Sequence, residues 1–190
     1  MEIETPENDR ADRKLTNTVA ITVVVISVFL ALQGVKSGNV AQALEATKAD
    51  IVDKWNQYQA SRLKHDVVEA ALSTNRLLAA TPGIDQSVVA AEKQRADKAI
   101  ALYVEREKKY SEEAKALEGR LEGLNKRDDQ FDVAEAMCSL GLALAAIALL
   151  AESWWLVALS WVFGAFGLTM GGAAMAGVSV YPQWLVELLT

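Results

Sequence analysis

Three apolar runs constrain this chain more than anything else in it: Leu15–Val35, Val133–Ala151 and Trp154–Val178. None has Asp, Glu, Lys, Arg or His in its interior; Glu135 stands at the entrance to the second. About 18 or more such residues are enough to cross the hydrocarbon core of a bilayer. In lipid the backbone must satisfy its own hydrogen bonds, so each run has to be a helix. Residues 36–132, between the first two runs, hold 16 of the 19 Lys and Arg and 17 of the 25 Asp and Glu. Charge at that density belongs in water. The expected fold class is an all-α membrane protein: three transmembrane helices, with a long antiparallel coiled-coil helical hairpin between the first and second.

The hairpin is read from periodicity. From Val40 to Ala79 there is neither Pro nor Gly, and Leu44, Ile51 and Tyr58 recur every seven residues. Leu63, Val67, Ala70 and Leu78 are expected to continue on a shifted face. Thr81-Pro82-Gly83 is a turn signal, and Asp85 is a candidate N-cap for the next helix. Beyond it, Ala96, Tyr103, Tyr110, Leu117, Leu124 and Phe131 stand at seven-residue intervals. Ile100, Glu107, Ala114, Leu121 and Asp128 follow the first five by four. That is the spacing of a coiled-coil seam. With the turn centred near Pro82, residue n of the first helix should face about residue 165 − n of the second.

The expected segments are a flexible polar tail at 1–14 and a first span at 15–35. The hairpin covers 36–132, with helices at 40–79 and 85–131 and a turn at 81–84. The second and third spans are 133–151 and 154–178, followed by an interfacial amphipathic tail at 179–190. Gly34, Ser37 and Gly38 should loosen the first helix where it leaves the bilayer. Leu15–Val35 is too long for a signal-peptide core and lacks a small-x-small cleavage site, so it reads as a retained span.

Composition excludes several classes of function. The net charge is −6 and no long block of one sign occurs, which argues against nucleic acid as a partner. One cysteine, Cys138, permits no intrachain disulfide, and it reads as a small filler within the second span. With His65 the only histidine, no metal site of the His/Cys kind can be assembled within one chain. His65, among Arg62, Lys64 and Asp66, reads as a solvated surface residue. No catalytic residues, cofactor or metal are expected, and an enzyme is not. Spans without internal charge also argue against a proton-coupled transporter.

Two groups of residues stand out. Gly164, Gly167 and Gly171 cluster in the third span, and Gly167-x-x-x-Gly171 is a small-x-x-x-small pattern that lets helices approach closely. They pack spans two and three within one chain, or they leave a face for a neighbouring protomer. The aromatics Trp55, Tyr58, Tyr103 and Tyr110 are likewise candidates for packing within the hairpin or against a second copy. Asp128, Asp132 and Glu135 form an acidic stripe at the entrance to the second span. It reads as a solvated helix end or, in an assembly around an axis, as an acidic ring.

Gly34-Val35-Lys36, Lys54-Trp55-Asn56-Gln57-Tyr58-Gln59-Ala60 and Arg127-Asp128-Asp129-Gln130-Phe131-Asp132, the last before an alanine-rich span, resemble the bacterial membrane proteins grouped as domain-of-unknown-function family 4337. The order of span, coiled hairpin and two further spans is similar as well. The resemblance implies a bacterial inner (cytoplasmic) membrane location and brings no activity or functional residues with it. It suggests that Trp55, Tyr58, Gln59 and the 127–132 stretch are not arbitrary.

The functional expectation is a self-associating structural or interaction protein of the membrane, an accessory subunit or scaffold. Its partners are the lipid bilayer, further copies of itself and an unidentified membrane or soluble protein. The alternative is a homo-oligomeric cation-preferring pore with the acidic stripe at its mouth. Arg10, Arg13 and Lys14 favour a cytoplasmic N-terminus, whereas Lys126 and Arg127 favour a cytoplasmic hairpin. The first helix usually dominates, which leaves the N-terminus on the cytoplasmic side.

Overall fold

In the computed structural model, residues 6–178 and 180 are described, with side chains from Arg13 onward. They form three helices: α1 Pro6–Ala79, α2 Gln86–Leu150 and α3 Trp154–Met175. No strand occurs among them. All three helices contain a stretch long and apolar enough to cross a membrane. The tail expected at 179–190 lies outside the described residues apart from Val180.

Three features differ from the sequence reading, one being that α3 ends at Met175, three residues before Val178, at the left-handed Gly177. α1 begins at Pro6 rather than Leu15, because Pro is pre-organised for the first helical position and an established helix propagates cheaply into adjacent residues. It also runs unbroken through Gly34, Ser37 and Gly38. A helical Gly costs only about 1 kcal/mol relative to Ala. With formed turns on both sides, that is too little to open the helix.

The turns follow from local chemistry. Asp85 caps α2: its Oδ1 accepts from the Ser87 N–H at 2.8 Å and from the Ser87 hydroxyl at 2.7 Å. α2 ends with Glu152 at φ +48, and Ser153 N–H donates back to the Ala148 carbonyl at 3.0 Å. α3 ends the same way, with Gly177 at φ +76 and Val178 N–H donating to Ala173 O at 2.9 Å. Both are six-to-one closures around a left-handed residue, a conformation that Gly tolerates and Glu adopts at a cost.

The chain divides into two compact units, Met1–Leu44 with Gly123–Thr190, and Glu45–Glu122. In the first unit, Leu15, Val19, Ala145, Ala148, Leu156 and Val157 form one buried cluster. Val133, Ala134 and Met170 form another. The opposite face of α1 presents Ile21, Val24, Val28, Leu32 and Val35, all more than half exposed. A helix apolar on all sides, covered on one and bare on the other, is suited to lipid rather than water.

In the second unit, α1 covers one row: Thr47, Ile51, Lys54, Tyr58, Ser61, His65, Val68, Leu72, Asn75 and Ala79, every one buried or half-buried. Steps of four and three alternate along it without a break. Leu63, Val67, Ala70 and Leu78, expected to carry the packing face onward, are exposed instead. The regular row continues through polar residues. A shift onto the more apolar residues would have taken the helix off the 3.5-residue repeat that keeps two helices in contact. On α2 the eight heptad positions from Ala96 to Leu121 are buried or half-buried, and Leu124, Asp128 and Phe131 are so within the first unit.

Candidate functional site

Within the first unit, α2 grips the C-terminal end of α3. The Arg127 Nε donates to the Ala174 carbonyl at 2.8 Å, and a terminal guanidinium nitrogen donates to Met175 O at 3.3 Å. Gln130, almost wholly buried, donates through Nε2 to Met170 O at 3.0 Å and to Val178 O at 3.3 Å. Its Oε1 accepts from Val180 N–H at 3.2 Å. The last carbonyls of a helix have no partner within it and carry its negative dipole end, so the Arg127 cation belongs beside Ala174 and Met175. Arg127 also lies over the Phe131 ring at 5.8 Å. Phe131 is fully buried, and its carbonyl accepts from Gln33 Nε2 of α1 at 2.9 Å. Three helices are thus tied together by the stretch 127–131. Gln33 Oε1 is buried without an N–H or O–H donor and faces the α-carbon of Gly171, where a Cα–H can meet it.

The small residues of α3 are used within this unit. A Cβ on Gly164 would lie 2.9 Å from Ile26 Cδ1 of α1. One on Gly167 would lie 2.8 Å from the Ala134 carbonyl and 2.9 Å from Cys138 N of α2. One on Gly171 would collide with Gln33 and Phe29 of α1. Gly141 of α2 would meet Gly164 N and Ser160 O, each at 3.1 Å. Ser160 also donates to the Gly141 carbonyl at 2.7 Å. Glycine lets α3 touch both α1 and α2, a wider role than pairing spans two and three. Trp161 Nε1 adds a bond to Thr22 Oγ1 at 2.9 Å.

The acidic stripe lies beside this grip. Asp128 is half-buried, while Asp132 and Glu135 are exposed. Crowding by surrounding protein atoms raises the Asp132 pKa from its ordinary value, and the charges of Asp128, Asp129 and Glu135 add to the rise.

In the second unit the polar residues of the covered row have partners on α2. Lys54 Nζ pairs with Glu113 Oε2 at 2.8 Å and lies 5.8 Å from the Tyr110 ring centre. The hydrogen bond between the two lowers the Glu113 pKa and raises that of Lys54. His65 Nδ1 meets Glu107 Oε1 at 3.1 Å, with both side chains largely covered. His65, expected on the solvated surface, is therefore part of the seam. Trp55 Nε1 donates to Glu118 at 3.0 Å and packs edge-on against Tyr58, centroids 5.5 Å apart. Tyr103 and Tyr110 are half-buried on α2. The aromatic candidates thus make contacts inside one chain.

These pairings fall further along α2 than 165 − n gives, by seven residues for His65, eight for Trp55 and two for Lys54 with Glu113. Helical side chains lean toward their own N-terminus. In oppositely running helices that lean carries α1 side chains away from the turn and α2 side chains toward it. Long side chains therefore meet partners whose backbones are offset. Sequence reasoning found the α2 row and the first part of the α1 row, Leu44, Ile51 and Tyr58, but missed its continuation, because Ser61, His65 and Asn75 do not look like core. The 4–3 spacing itself was the available signal.

Among the described residues, no group of three His, Cys, Asp or Glu side chains is placed to hold a metal ion. What the fold defines is an all-helical protein with three helices able to cross a membrane, the first two of which also pair along a charged stretch. The chain belongs to the family described as Domain of unknown function (DUF4337), whose model matches residues 15–177. No curated protein and no solved structure matches it.

Proposed function

We propose that this chain is a self-associating interaction protein of the membrane, a scaffold or accessory subunit whose charged hairpin, an antiparallel coiled coil, holds copies together in water. One observation carries the reading. The second unit, rich in charge, exposes Val52, Leu63, Val67, Leu77, Val88 and Val104, each close to half exposed or more. Two helices alone cannot cover such residues, and large apolar side chains in water favour further helices over solvent. By resemblance to its family, the protein resides in a bacterial inner membrane, and Arg10, Arg13 and Lys14 set its N-terminus in the cytoplasm.

The test is co-purification of two differently tagged full-length copies from one membrane after gentle detergent extraction. Recovery of both tags together supports the reading, and complete separation refutes it. The pore ringed by Asp128, Asp132 and Glu135 ranks second, because the helix turns that carry the stripe already hold α3. It would require conductance that falls when Asp128 and Asp132 become Asn.

A further inference from the structure

The outward sides of the two hairpin helices differ in kind. On α1, opposite the covered row, lie Asn56, Ala60, Leu63, Val67, Ala70, Thr74 and Leu77. They repeat the same four-three step as the inner row, all are exposed, and none is charged. On α2 the equivalent outward row is Lys98, Ala101, Glu105, Lys108, Glu112 and Lys115, also fully exposed. That row is what a solvated helix face looks like. A second uncharged row at coiled-coil spacing is the kind of surface that packs against a further helix.

We infer that this outer row of α1 is an interface with the same row of a second copy, the two α1 helices packing parallel and in register. The inference rests on the self-association reading and specifies its surface. Within the described part of this unit, the outward face of α2 is too charged to cover an apolar row, which leaves the like face of another copy as the matching surface. Copies inserted in one membrane under the same charge rule share an orientation, so their α1 helices run the same way. The flanks fit as well. Gln59 falls opposite Lys64 of the partner subunit, and Asp66 opposite Ala71 of the partner subunit, so no like charges abut. Such a contact uses one patch on both copies and closes as a two-fold.

The test is disulfide trapping of the full-length protein in its membrane, with Leu63→Cys and Leu77→Cys as probes. Lys108→Cys, on the outward row of α2, serves as the control. The native Cys138 is buried and contributes no cross-link. Mild oxidation is expected to give a covalent dimer of each α1 variant at least about tenfold more abundant than for Lys108→Cys. The double change Leu63→Glu with Val67→Glu alters only exposed side chains, so the helical circular dichroism should persist while assembly weakens by about a hundredfold or more. Absence of cross-links at both α1 positions in a protein that still assembles would overturn this interface and leave the self-association reading standing. A cross-link to a different polypeptide would also overturn it. A chain that never assembles would remove both.

Discussion

The Gln130 side-chain amide donates to the Met170 carbonyl oxygen across the α2–α3 contact at 3.0 Å, with both groups out of reach of water. Arg127 supplies donors to the last carbonyls of α3, and Gln130 adds a second donor to a carbonyl one turn earlier.

Removing those donors should loosen α3. Gln130→Ala is expected to cost about 1–3 kcal/mol, because it removes buried hydrogen bonds worth about 1 kcal/mol net each. Arg127→Ala should lose a further ~1–2 kcal/mol of charge–dipole and hydrogen-bond energy. Arg127→Lys should fall between, since Lys keeps the charge but not the fork. Thermal melts of the detergent-solubilised protein, followed at 222 nm, would rank the three variants.

The glycines of α3 should not be equivalent. Gly167→Ala places a methyl 2.8 Å from a backbone carbonyl that cannot move aside. It should be the most destabilising, by roughly 1–3 kcal/mol as an overpacked site. Gly171→Ala meets the ends of two side chains, Gln33 and Phe29, which can rotate away, so it should be milder. Gly172→Ala has open space around it and should be neutral or stabilising by up to about 1 kcal/mol. The order of melting temperatures among the three variants checks this directly.

The Lys54–Glu113 pair makes the hairpin sensitive to pH at both extremes. Glu113 has a lowered pKa in the fold, so its contribution is present above the ordinary carboxylate range and disappears as pH falls through the folded value. Lys54 has a raised pKa, so its share is present below the ordinary lysine range and disappears as pH rises through the folded value. Glu113→Gln should therefore melt earlier than the parent near neutrality and converge with it in acid. A pH series of melts on both proteins provides the comparison.

Asp132 should behave in the opposite sense. Its raised pKa means that the charged form is disfavoured by the fold, so ionisation at neutral pH subtracts stability and protonation restores it. Asp132→Asn is expected to raise the melting temperature at neutral pH and to lose that advantage once the pH is below the ordinary carboxylate range. A melt of the variant at two pH values suffices.

Much of the architecture can be read from hydropathy and spacing alone. Apolar length marks the three helices, Thr81-Pro82-Gly83 and Asp85 mark the turn, and the heptad from Ala96 to Phe131 marks the covered side of α2. These are local signals. What was misread depends on partners distant in sequence. The α1 seam passes through His65 and Lys54 because Glu107 and Glu113 wait on the other helix. Residue type alone therefore pointed to Leu63 and Val67, which face outward. The grip of Arg127 and Gln130 on α3 was hidden for the same reason, since a charged run before a span looks solvated until the end of another helix is placed beside it. Gly171 and Gln33 could not be matched before α1 and α3 were in contact.

The most direct test of the central claim is native mass spectrometry of the full-length protein released from nanodiscs or gentle detergent. The expected result is an assembly of two or more copies that falls to single chains when Leu63 and Val67 become Glu. A wild-type protein that flies as a single chain under conditions that keep its helices intact would contradict it.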